Sequence, residues 1–464
     1  MLSITTLLVF FSCSDAQKPS PVADTTASTE DLSTSTLDTS DSDSGSDSET
    51  TEVDDGPPKN VLMISLDTTR RDWFARFGGP AQTPNLDALF DRSLLLANHR
   101  SCSNWTWASM LCAQASRSEI TTGSLIDAGG ETPFLPETVM TADKALGQLG
   151  WRTFMVSSNQ YLGLGTGLTT GFDDTLERFY ADAATVNDAA FSILDTLDGL
   201  ADGGDERPWY LHVHYMDLHS PYTPPDEYLE ALEGMYEIPY DLSNGLAFSY
   251  MVEDFPELPE LLQELIIEHL QVRYTGALEY ADAQLGELLA RAESSGLLED
   301  TLVVFFTDHG EQIWEHEELG HQFGLYDEEN RSLASFHAPG LDPVVFEGAT
   351  RHQDIWPTAF ELMGLDPVAD FEGTPATRRG PDEHRFGLRY LKDQTIQMVE
   401  RGGVKLTYRW NGEKALYRLA DDPAEQNNLY DPEDPDVLAL WELLLPEVEA
   451  ASALTPLLPL AAGP

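Results

Sequence analysis

The apolar positions along this chain form short continuous runs that alternate with stretches of helical periodicity. Strands buried on both faces of a sheet are predicted by the apolar runs near residues 60–66, 152–157, 208–215 and 302–306. Helices are predicted near residues 139–149, 183–199, 260–298 and 355–363. This alternation predicts the α/β class, as a three-layer α/β/α sandwich with a mostly parallel central sheet.

The pattern changes after Gly380, where short strands follow one another with tight turns such as Asn411-Gly412. These strands are predicted near residues 385–391, 396–401, 404–409 and 415–419, and a helix near 435–449 follows them. We therefore expect a large α/β domain over residues 59–380 and a small antiparallel C-terminal subdomain with its tail over residues 381–464.

The first 58 residues differ in character from the rest. Leu2 to Phe11 is apolar but too short to span a bilayer, and with Cys13 it predicts a bacterial signal peptide and lipobox over residues 1–13. An ordinary cleaved signal with an incidental cysteine is the alternative.

Residues 14–58 are rich in Ser, Thr, Asp and Glu and lack aromatic residues, which predicts a disordered acidic linker. The protein is therefore expected to be exported, as a periplasmic or extracellular protein or an outer-membrane lipoprotein.

The charge of the chain narrows the range of partners. It carries 26 basic and 80 acidic residues, a formal net charge of −54. Such a surface repels nucleic acid and anionic lipid, so we expect no nucleic-acid partner, and membrane contact only through a lipid anchor at Cys13. Three cysteines exclude a disulfide scaffold and a cysteine-rich zinc module, although Cys102 and Cys112 could form a disulfide in an oxidising compartment.

Two of the predicted strands end in carboxylates. Asp67 follows the run at 60–66, and Asp308-His309 follows the run at 302–306. Because the carboxyl ends of parallel strands lie at one edge of a sheet, we expect these side chains to meet. Carboxylates beside an imidazole suit a divalent cation, so the two strand ends predict one metal site.

A series of short motifs runs in order between residues 60 and 450. It comprises the segment from Asn60 to Ser109, Leu135-Pro-Glu-Thr138, Gly150-Trp-Arg-Thr153, Thr170-Gly-Phe-Asp173, the segment from His214 to Tyr222, Thr307-Asp-His-Gly-Glu311, Gly320-His321, Asp354-Ile-Trp-Pro-Thr358, Gly403-Val-Lys-Leu406, Ala415-Leu-Tyr-Arg-Leu419 and the segment from Asp422 to Leu429. This series resembles the sulfatase family within the alkaline phosphatase-like superfamily.

The resemblance implies a metal-dependent enzyme with Asp67, Asp308, His309 and Thr106 as ligands of one divalent cation. Ca²⁺ is usual in sulfatases, whereas Mn²⁺, Mg²⁺ or Zn²⁺ occurs in relatives that handle phosphate, and this ligand set does not decide between them. Sulfatases usually have a second aspartate after the first, where this chain has Thr68. The predicted site is therefore lower in negative charge.

Thr106 falls at the position of the family nucleophile. Sulfatases place there a cysteine or serine that is oxidised to formylglycine, in a Cys/Ser-x-Pro-x-Arg context, whereas this chain has Ala108 and Met110 at the proline and arginine positions. Threonine cannot become formylglycine, but its hydroxyl can attack directly when a cation and a helix N-terminus favour the alkoxide. Relatives that transfer phosphoethanolamine or glycerol phosphate use such a threonine.

Two alternatives stay open at this position. The segment from Ala115 to Gly123 resembles the tail of the sulfatase signature and would place Ala113, with Cys112 adjacent, at the nucleophile position. Thr106 could also be an ordinary helix N-cap.

Histidines are the candidate proton donors. By resemblance, His219 and His321 bind the oxyanion of the ester and protonate the leaving group, a role that suits the pKa of imidazole. His316, Arg117 and Arg331 are assigned as substrate-binding residues, with surface salt bridges as the alternative for the two arginines. His212 and His214 alternate within the strand near 208–215, which predicts packed or supporting side chains.

The expected function is that of an exported, metal-dependent sulfatase that hydrolyses a sulfate ester. Its partner would be an anionic ester, such as a sulfated glycan or lipid. A phosphodiesterase or phosphoryl transferase that uses Thr106 directly is the first alternative. A catalytically inactive binding protein on the same fold is the second, supported by Ala108 and Met110.

Overall fold

The structure is a computed structural model that describes residues 56–125, 134–391 and 394–454. The predicted signal peptide over residues 1–13 and the linker over residues 14–58, apart from its last three residues, lie outside the described residues. So does Cys13 with its predicted lipid anchor. No helix within the described ranges is both long enough and apolar enough to cross a membrane.

The described chain alternates strands and helices up to residue 362 and then forms a second, smaller sheet. The strands are β1 (Asn60–Leu66), β2 (Leu94–Arg100), β3 (Arg152–Ser157), β4 (Asp174–Glu177), β5 (Trp209–Tyr215), β6 (Thr301–Thr307), β7 (Gln312–Ile313), β8 (Leu319–Gly320), β9 (Arg331–His337), β10 (Val344–Phe346), β11 (Thr350–Arg351), β12 (Arg385–Arg389), β13 (Ile396–Arg401), β14 (Val404–Arg409) and β15 (Lys414–Arg418). The helices are α1 (Pro84–Phe90), α2 (Thr106–Ala115), α3 (Glu119–Thr122), α4 (Ala142–Gln148), α5 (Ala183–Asp202), α6 (Gly245–Asp254), α7 (Glu260–Ser294), α8 (Asp327–Asn330), α9 (Ile355–Leu362) and α10 (Pro435–Leu454).

The central sheet has the strand order β10-β2-β9-β6-β1-β5-β3-β4, and β11 also pairs with β2. The four strands predicted from apolar runs are β1, β3, β5 and β6; they lie side by side and are parallel. Strand β9, which is antiparallel to β2 and β6, was not predicted. The polar residues Ser332 and Ser335, both buried, interrupt its apolar run.

Alternate residues of β1 face two separate cores, which is why helices cover both sides of the sheet. Leu62 and Ile64 pack in the core formed with α1, α5 and α7, whereas Val61 and Met63 pack in the core formed with α2, α4 and α9. The predicted three-layer α/β/α class is therefore confirmed. The additional antiparallel sheet, in the order β12-β13-β14-β15, is confirmed as well.

The buried histidine His352 gives the fold an acid-sensitive position. Its Nε2–H donates to the carbonyl oxygen of Thr307 over 3.1 Å, and burial lowers its pKa from 6.5 to about 4. Between these values the unfolded chain binds a proton that the folded chain does not, so stability must fall as the pH falls. We expect His352 to lower the free energy of unfolding by roughly 3 kcal/mol between about pH 7 and pH 4.

His352→Gln keeps an amide donor for Thr307 and cannot titrate, so it is expected to remove that part of the acid sensitivity. Urea unfolding of both proteins at the two pH values measures the effect. A stability difference between them that stays constant with pH would contradict the prediction.

Candidate active site

Four neighbouring strands end at one edge of the central sheet and bring polar side chains together there. Asp67 follows β1, Asp308 and His309 follow β6, His214 lies near the end of β5, and Asn159 lies just beyond β3. Leu66 pairs with Thr307 in the parallel register of β1 and β6. This register places the carboxylates of Asp67 and Asp308, which are far apart in sequence, next to each other.

The two carboxylates have free oxygens that face one imidazole nitrogen. Asp67 and Asp308 are fully buried, and no group in the described residues donates to Asp67 Oδ1 or Asp308 Oδ2. His309 Nε2 lies 3.8 Å from the first oxygen and 3.6 Å from the second. Burial, and then the charge of Asp67, raises the pKa of Asp308 well above its ordinary value. Two unpaired buried oxygens and a nitrogen form a donor set that fits a divalent cation.

His309 offers its lone pair to this space. Its Nδ1 contacts the carbonyl oxygen of Gly310 over 2.9 Å, which assigns the proton of a neutral ring to that nitrogen. Burial, and then the charge of His321, lowers the pKa of His309 to about 3, so the ring is neutral at ordinary pH. Position 310 must be glycine, because a Cβ there would lie 1.9 Å from the carbonyl oxygen of Glu328.

Thr68, the residue after Asp67, has an unusual backbone. Its φ is 45°, in the left-handed region that β-branched residues rarely adopt. Its N–H donates to Asp308 Oδ1 over 3.0 Å, and its carbonyl oxygen accepts from the Tyr274 hydroxyl over 2.5 Å. These two bonds hold the strained residue and orient Asp308.

Thr106 is the first residue of α2, and its hydroxyl lies inside the cluster. Its Oγ1 is 3.3 Å from Asp67 Oδ2 and 3.5 Å from His309 Nε2. The N-cap is Trp105, so the prediction that Thr106 could be an ordinary N-cap is wrong. At the first position of the helix, the hydroxyl lies where the helix dipole favours negative charge.

The alternative nucleophile position lies away from the cluster. Ala113 is seven residues further along α2, about 10 Å at the helical rise per residue, and it is buried. Cys112 forms a disulfide with Cys102, with a Cα–Cα distance of 6.5 Å, and therefore has no free thiol. The bridge encloses the segment that carries Thr106, and the structure places Thr106 rather than Ala113 beside Asp67.

Asn159 is a site residue that the sequence analysis missed. Its Nδ2 donates to Asp67 Oδ2 over 2.5 Å and to Thr106 Oγ1 over 3.1 Å. Its Oδ1 accepts from the backbone N–H of Tyr161 over 2.8 Å, which fixes the orientation of the amide. The available signal was its place just after the predicted strand near 152–157, at the same edge as Asp67.

The predicted proton donors lie next to the residues of the candidate metal site. The His321 ring is 4.7 Å from the His309 ring and 5.2 Å from the His219 ring, centroid to centroid. His321 Nδ1 lies 3.2 Å from Glu311 Oε2, and the hydroxyl of Tyr222 donates to the other oxygen of Glu311. Burial lowers the pKa of His321, but the hydrogen bond and charge of Glu311 outweigh it and leave the pKa raised.

The three predicted substrate-binding residues have other partners. Arg117 lies beyond the C-terminal end of α2 and forms a salt bridge with Glu372 over 3.1 Å, a contact of the kind that the sequence analysis gave as the alternative. His316 stacks on Tyr326 with ring centroids 3.6 Å apart, and Arg331 is paired with Asp327 at 3.5 Å. The substrate-binding role of all three residues stays a prediction.

Glu329 connects the segment before Thr106 to the loop that carries His321. Its buried carboxylate accepts from Asn104 Nδ2 over 2.6 Å, from the N–H of Gln322 over 2.8 Å and from the N–H of Gly324 over 2.9 Å.

A glutamine in place of Glu329 would turn an N–H₂ group towards these donors. We expect Glu329→Gln to lower the free energy of unfolding by about 1–3 kcal/mol and to reduce turnover. Chemical denaturation and kinetics on the same preparation would check both, and unchanged stability would count against this role.

The comparisons with known proteins agree on the family. A family model described as Sulfatase matches residues 59–365. An arylsulfatase of Clostridium perfringens is 23% identical over 278 residues, 55% of this chain and 56% of that protein. The chain spans about half the length of the first curated relatives that it matches.

Solved structures share the fold at low sequence identity. A protein in complex with its substrate D-glucosamine-2-N,6-O-disulfate has a TM-score of 0.68 at 15% identity, and the match covers 86% of this chain and 98% of that one. The phosphonate monoester hydrolase of Silicibacter pomeroyi has a TM-score of 0.66 at 17% identity, with 85% and 95% covered. Because the family model matches well over half of its residues, this chain belongs to the sulfatase family.

Proposed function

We propose that this protein hydrolyses an ester of sulfuric or phosphoric acid, with a divalent cation as cofactor and Thr106 as nucleophile. The observation that carries the proposal is the Thr106 hydroxyl, 3.3 Å from Asp67 and 3.5 Å from His309, at the N-terminus of a helix. A hydroxyl beside a buried cation site is the arrangement that nucleophilic ester cleavage needs.

Asp67, Asp308, His309 and Thr106 would hold the cation. When bound, the cation would lower the pKa of the Thr106 hydroxyl and draw negative charge from the ester oxygens. Asn159 donates to Thr106 Oγ1 and so fixes the direction of the lone pair that attacks. Ca²⁺ is favoured by the family, and Mn²⁺, Mg²⁺ and Zn²⁺ are the other candidates.

The chemical step needs one proton at the leaving group. Thr106 Oγ1, after losing its proton to solvent, attacks sulfur or phosphorus, and the bond to the alcohol oxygen breaks while that oxygen takes a proton from His321 or His219. Glu311 supports this role in His321, since its charge raises the pKa of that ring. Water then gives a proton back to that histidine and attacks the same sulfur or phosphorus atom, and the Thr106 oxygen leaves as the alkoxide that began the cycle.

Two observations favour different esters. The sulfatase family, and the neighbour solved with a disulfated glucosamine, favour a sulfate ester, including that of a sulfated sugar. Thr106 favours a phosphorus ester, because a sulfated threonine lacks the hemiacetal route by which formylglycine expels sulfate. The likeness to a phosphonate monoester hydrolase supports this second candidate.

We also propose that the protein acts after export. The apolar segment Leu2 to Phe11 supports this, as does the Cys102–Cys112 disulfide, because disulfides persist in oxidising compartments. Cell fractionation and mass spectrometry of the mature N-terminus test this proposal. A cytosolic protein that keeps Met1 would contradict it.

The test of the enzymatic proposal is a panel of nitrophenyl esters. Chelator-treated protein is offered nitrophenyl sulfate, phosphate, bis-phosphate and phenylphosphonate, with Ca²⁺, Mn²⁺, Mg²⁺ or Zn²⁺ added back one at a time. Turnover that depends on the added metal and is lost in Asp308→Asn is expected for at least one ester. No turnover in any combination would favour a binding protein on this fold.

A further inference from the structure

We propose that His214 is a positioning residue that donates a hydrogen bond to Asp67, and that it is not a ligand of the cation. A ligand role has to be considered, because one ligand atom from each of Asp67, His214 and Asp308 lies within 4.8 Å of the others. The inference deepens the proposed function, and its first test does not require activity.

A chain of buried side chains leads from Asp67 into the core between β5 and α2. It runs from Asp67 Oδ2 to His214 Nε2 (3.3 Å), from His214 Nδ1 to Ser65 Oγ (2.8 Å), from Ser65 Oγ to His212 Nε2 (2.7 Å), from His212 Nδ1 to Gln114 Nε2 (2.8 Å), and from Gln114 Nε2 to Tyr210 Oη (3.1 Å). Each of these residues is at most 2% exposed. Groups this deeply buried must satisfy one another, so the position of one proton determines the next.

The donor and acceptor of each hydrogen bond in this series can be assigned from the Asp67 end. An ionised carboxylate only accepts hydrogen bonds, so the nitrogen that faces it, His214 Nε2, carries a proton. In a neutral ring, Nδ1 of His214 is then an acceptor. The hydroxyl of Ser65 therefore donates to it and uses its only proton there.

The far end of the chain gives the same direction. The N–H₂ group of Gln114 faces His212 Nδ1 and donates to it, so the proton of the His212 ring lies on Nε2. That Nε2–H donates to Ser65 Oγ, which can accept it because the hydroxyl proton of Ser65 is donated to His214 Nδ1. Both ends therefore place the proton of His214 on Nε2.

A protonated Nε2 has no lone pair for a metal, which excludes His214 as a ligand in this arrangement. Asp67 Oδ2 then faces three donors: His214, Asn159 and Thr106. This leaves Asp67 Oδ1, without a donor among the described residues, as the oxygen for the cation. His214 thus determines which oxygen of Asp67 the metal meets.

The first test locates the proton directly. Full-length protein labelled with ¹⁵N-histidine is studied by NMR without metal and with Ca²⁺ alone, and His214→Gln identifies the resonances of His214. The proton is expected on Nε2 in both states. A bare Nε2 with the proton on Nδ1 in the Ca²⁺-loaded protein would overturn the proposal, whether or not the protein turns over any ester.

The second test removes the hydrogen-bond partner of His214 Nδ1, which is the hydroxyl of Ser65. Ser65→Ala removes the hydroxyl and is expected to lower kcat by about 10- to 100-fold with KM little changed, whereas Ser65→Thr keeps the hydroxyl and should recover most of the rate. Wild-type kcat in Ser65→Ala, or equal losses in both variants, would count against the positioning role. If the wild type turns over no ester at all, the proposed function is contradicted, whereas the NMR result on His214 is unaffected.

Discussion

Replacing Thr106 by alanine is expected to lower kcat by on the order of 10³-fold or more, because the variant lacks the oxygen that we propose as the nucleophile. The loss should appear in kcat rather than in KM, since Asp67, Asp308 and His309, the other proposed ligands, would still hold the cation. Steady-state kinetics on the best ester of the panel measures it. Quenched wild-type reactions should also contain a sulfated or phosphorylated Thr106, detectable by peptide mass spectrometry.

Thr106→Ser is the matched control for this experiment. It keeps the hydroxyl at the start of α2 and should stay within about tenfold of the wild-type rate. Because Thr106 is buried, thermal unfolding of each variant must show that the fold is intact. Wild-type turnover by Thr106→Ala would remove Thr106 from the mechanism, and a water molecule activated at the cation would become the nucleophile to test.

Replacing Lys405 by methionine is expected to give the largest loss of stability, about 3–5 kcal/mol in the free energy of unfolding. Lys405 lies in β14 of the C-terminal sheet with a fully buried side chain. Its ammonium group is 2.8 Å from Asp327 and 2.8 Å from Glu425, and it also donates to the carbonyl oxygen of Leu325. Without the ammonium group, the buried carboxylates of Asp327 and Glu425 remain close together with less positive charge nearby to balance them.

Urea unfolding of two further variants separates this effect from a general loss of a basic residue. Arg418 also faces two carboxylates, Asp434 and Asp436, but its side chain is 36% exposed, so Arg418→Met should change stability far less. Glu425→Gln in the Lys405→Met background should recover part of the loss, because burial already raises the pKa of Glu425 to about 7. Equal losses in Lys405→Met and Arg418→Met would contradict the prediction.

The same salt bridges explain how the smaller sheet supports the site. Asp327 begins α8, the short helix that ends just after Glu329, and Glu329 accepts from the loop that carries His321. Lys405 therefore anchors α8 from the side of the C-terminal sheet. A destabilised Lys405→Met protein should consequently lose turnover at temperatures where the wild type is still fully active.

Several features of this protein could be read from the sequence because they depend on neighbouring residues. A continuous apolar run predicts a buried strand wherever it lies, and the runs near β1, β3, β5 and β6 were found for that reason. Asp67 and Asp308 were identified because both follow such runs, and parallel strands end at one edge. The antiparallel sheet after Gly380 was likewise predicted from its short strands and tight turns.

Other features depend on contacts between segments that are distant in sequence, so they become visible only in the folded molecule. The polar strand β9 joins the sheet because its neighbours β2 and β6 supply the hydrogen bonds. Asn159 reaches Thr106 because β3 lies two strands away from β1. Arg117 forms a salt bridge because the fold brings it to Glu372, which is distant in sequence. The position of a proton on His214 depends on side chains from three elements, and no local pattern records that arrangement.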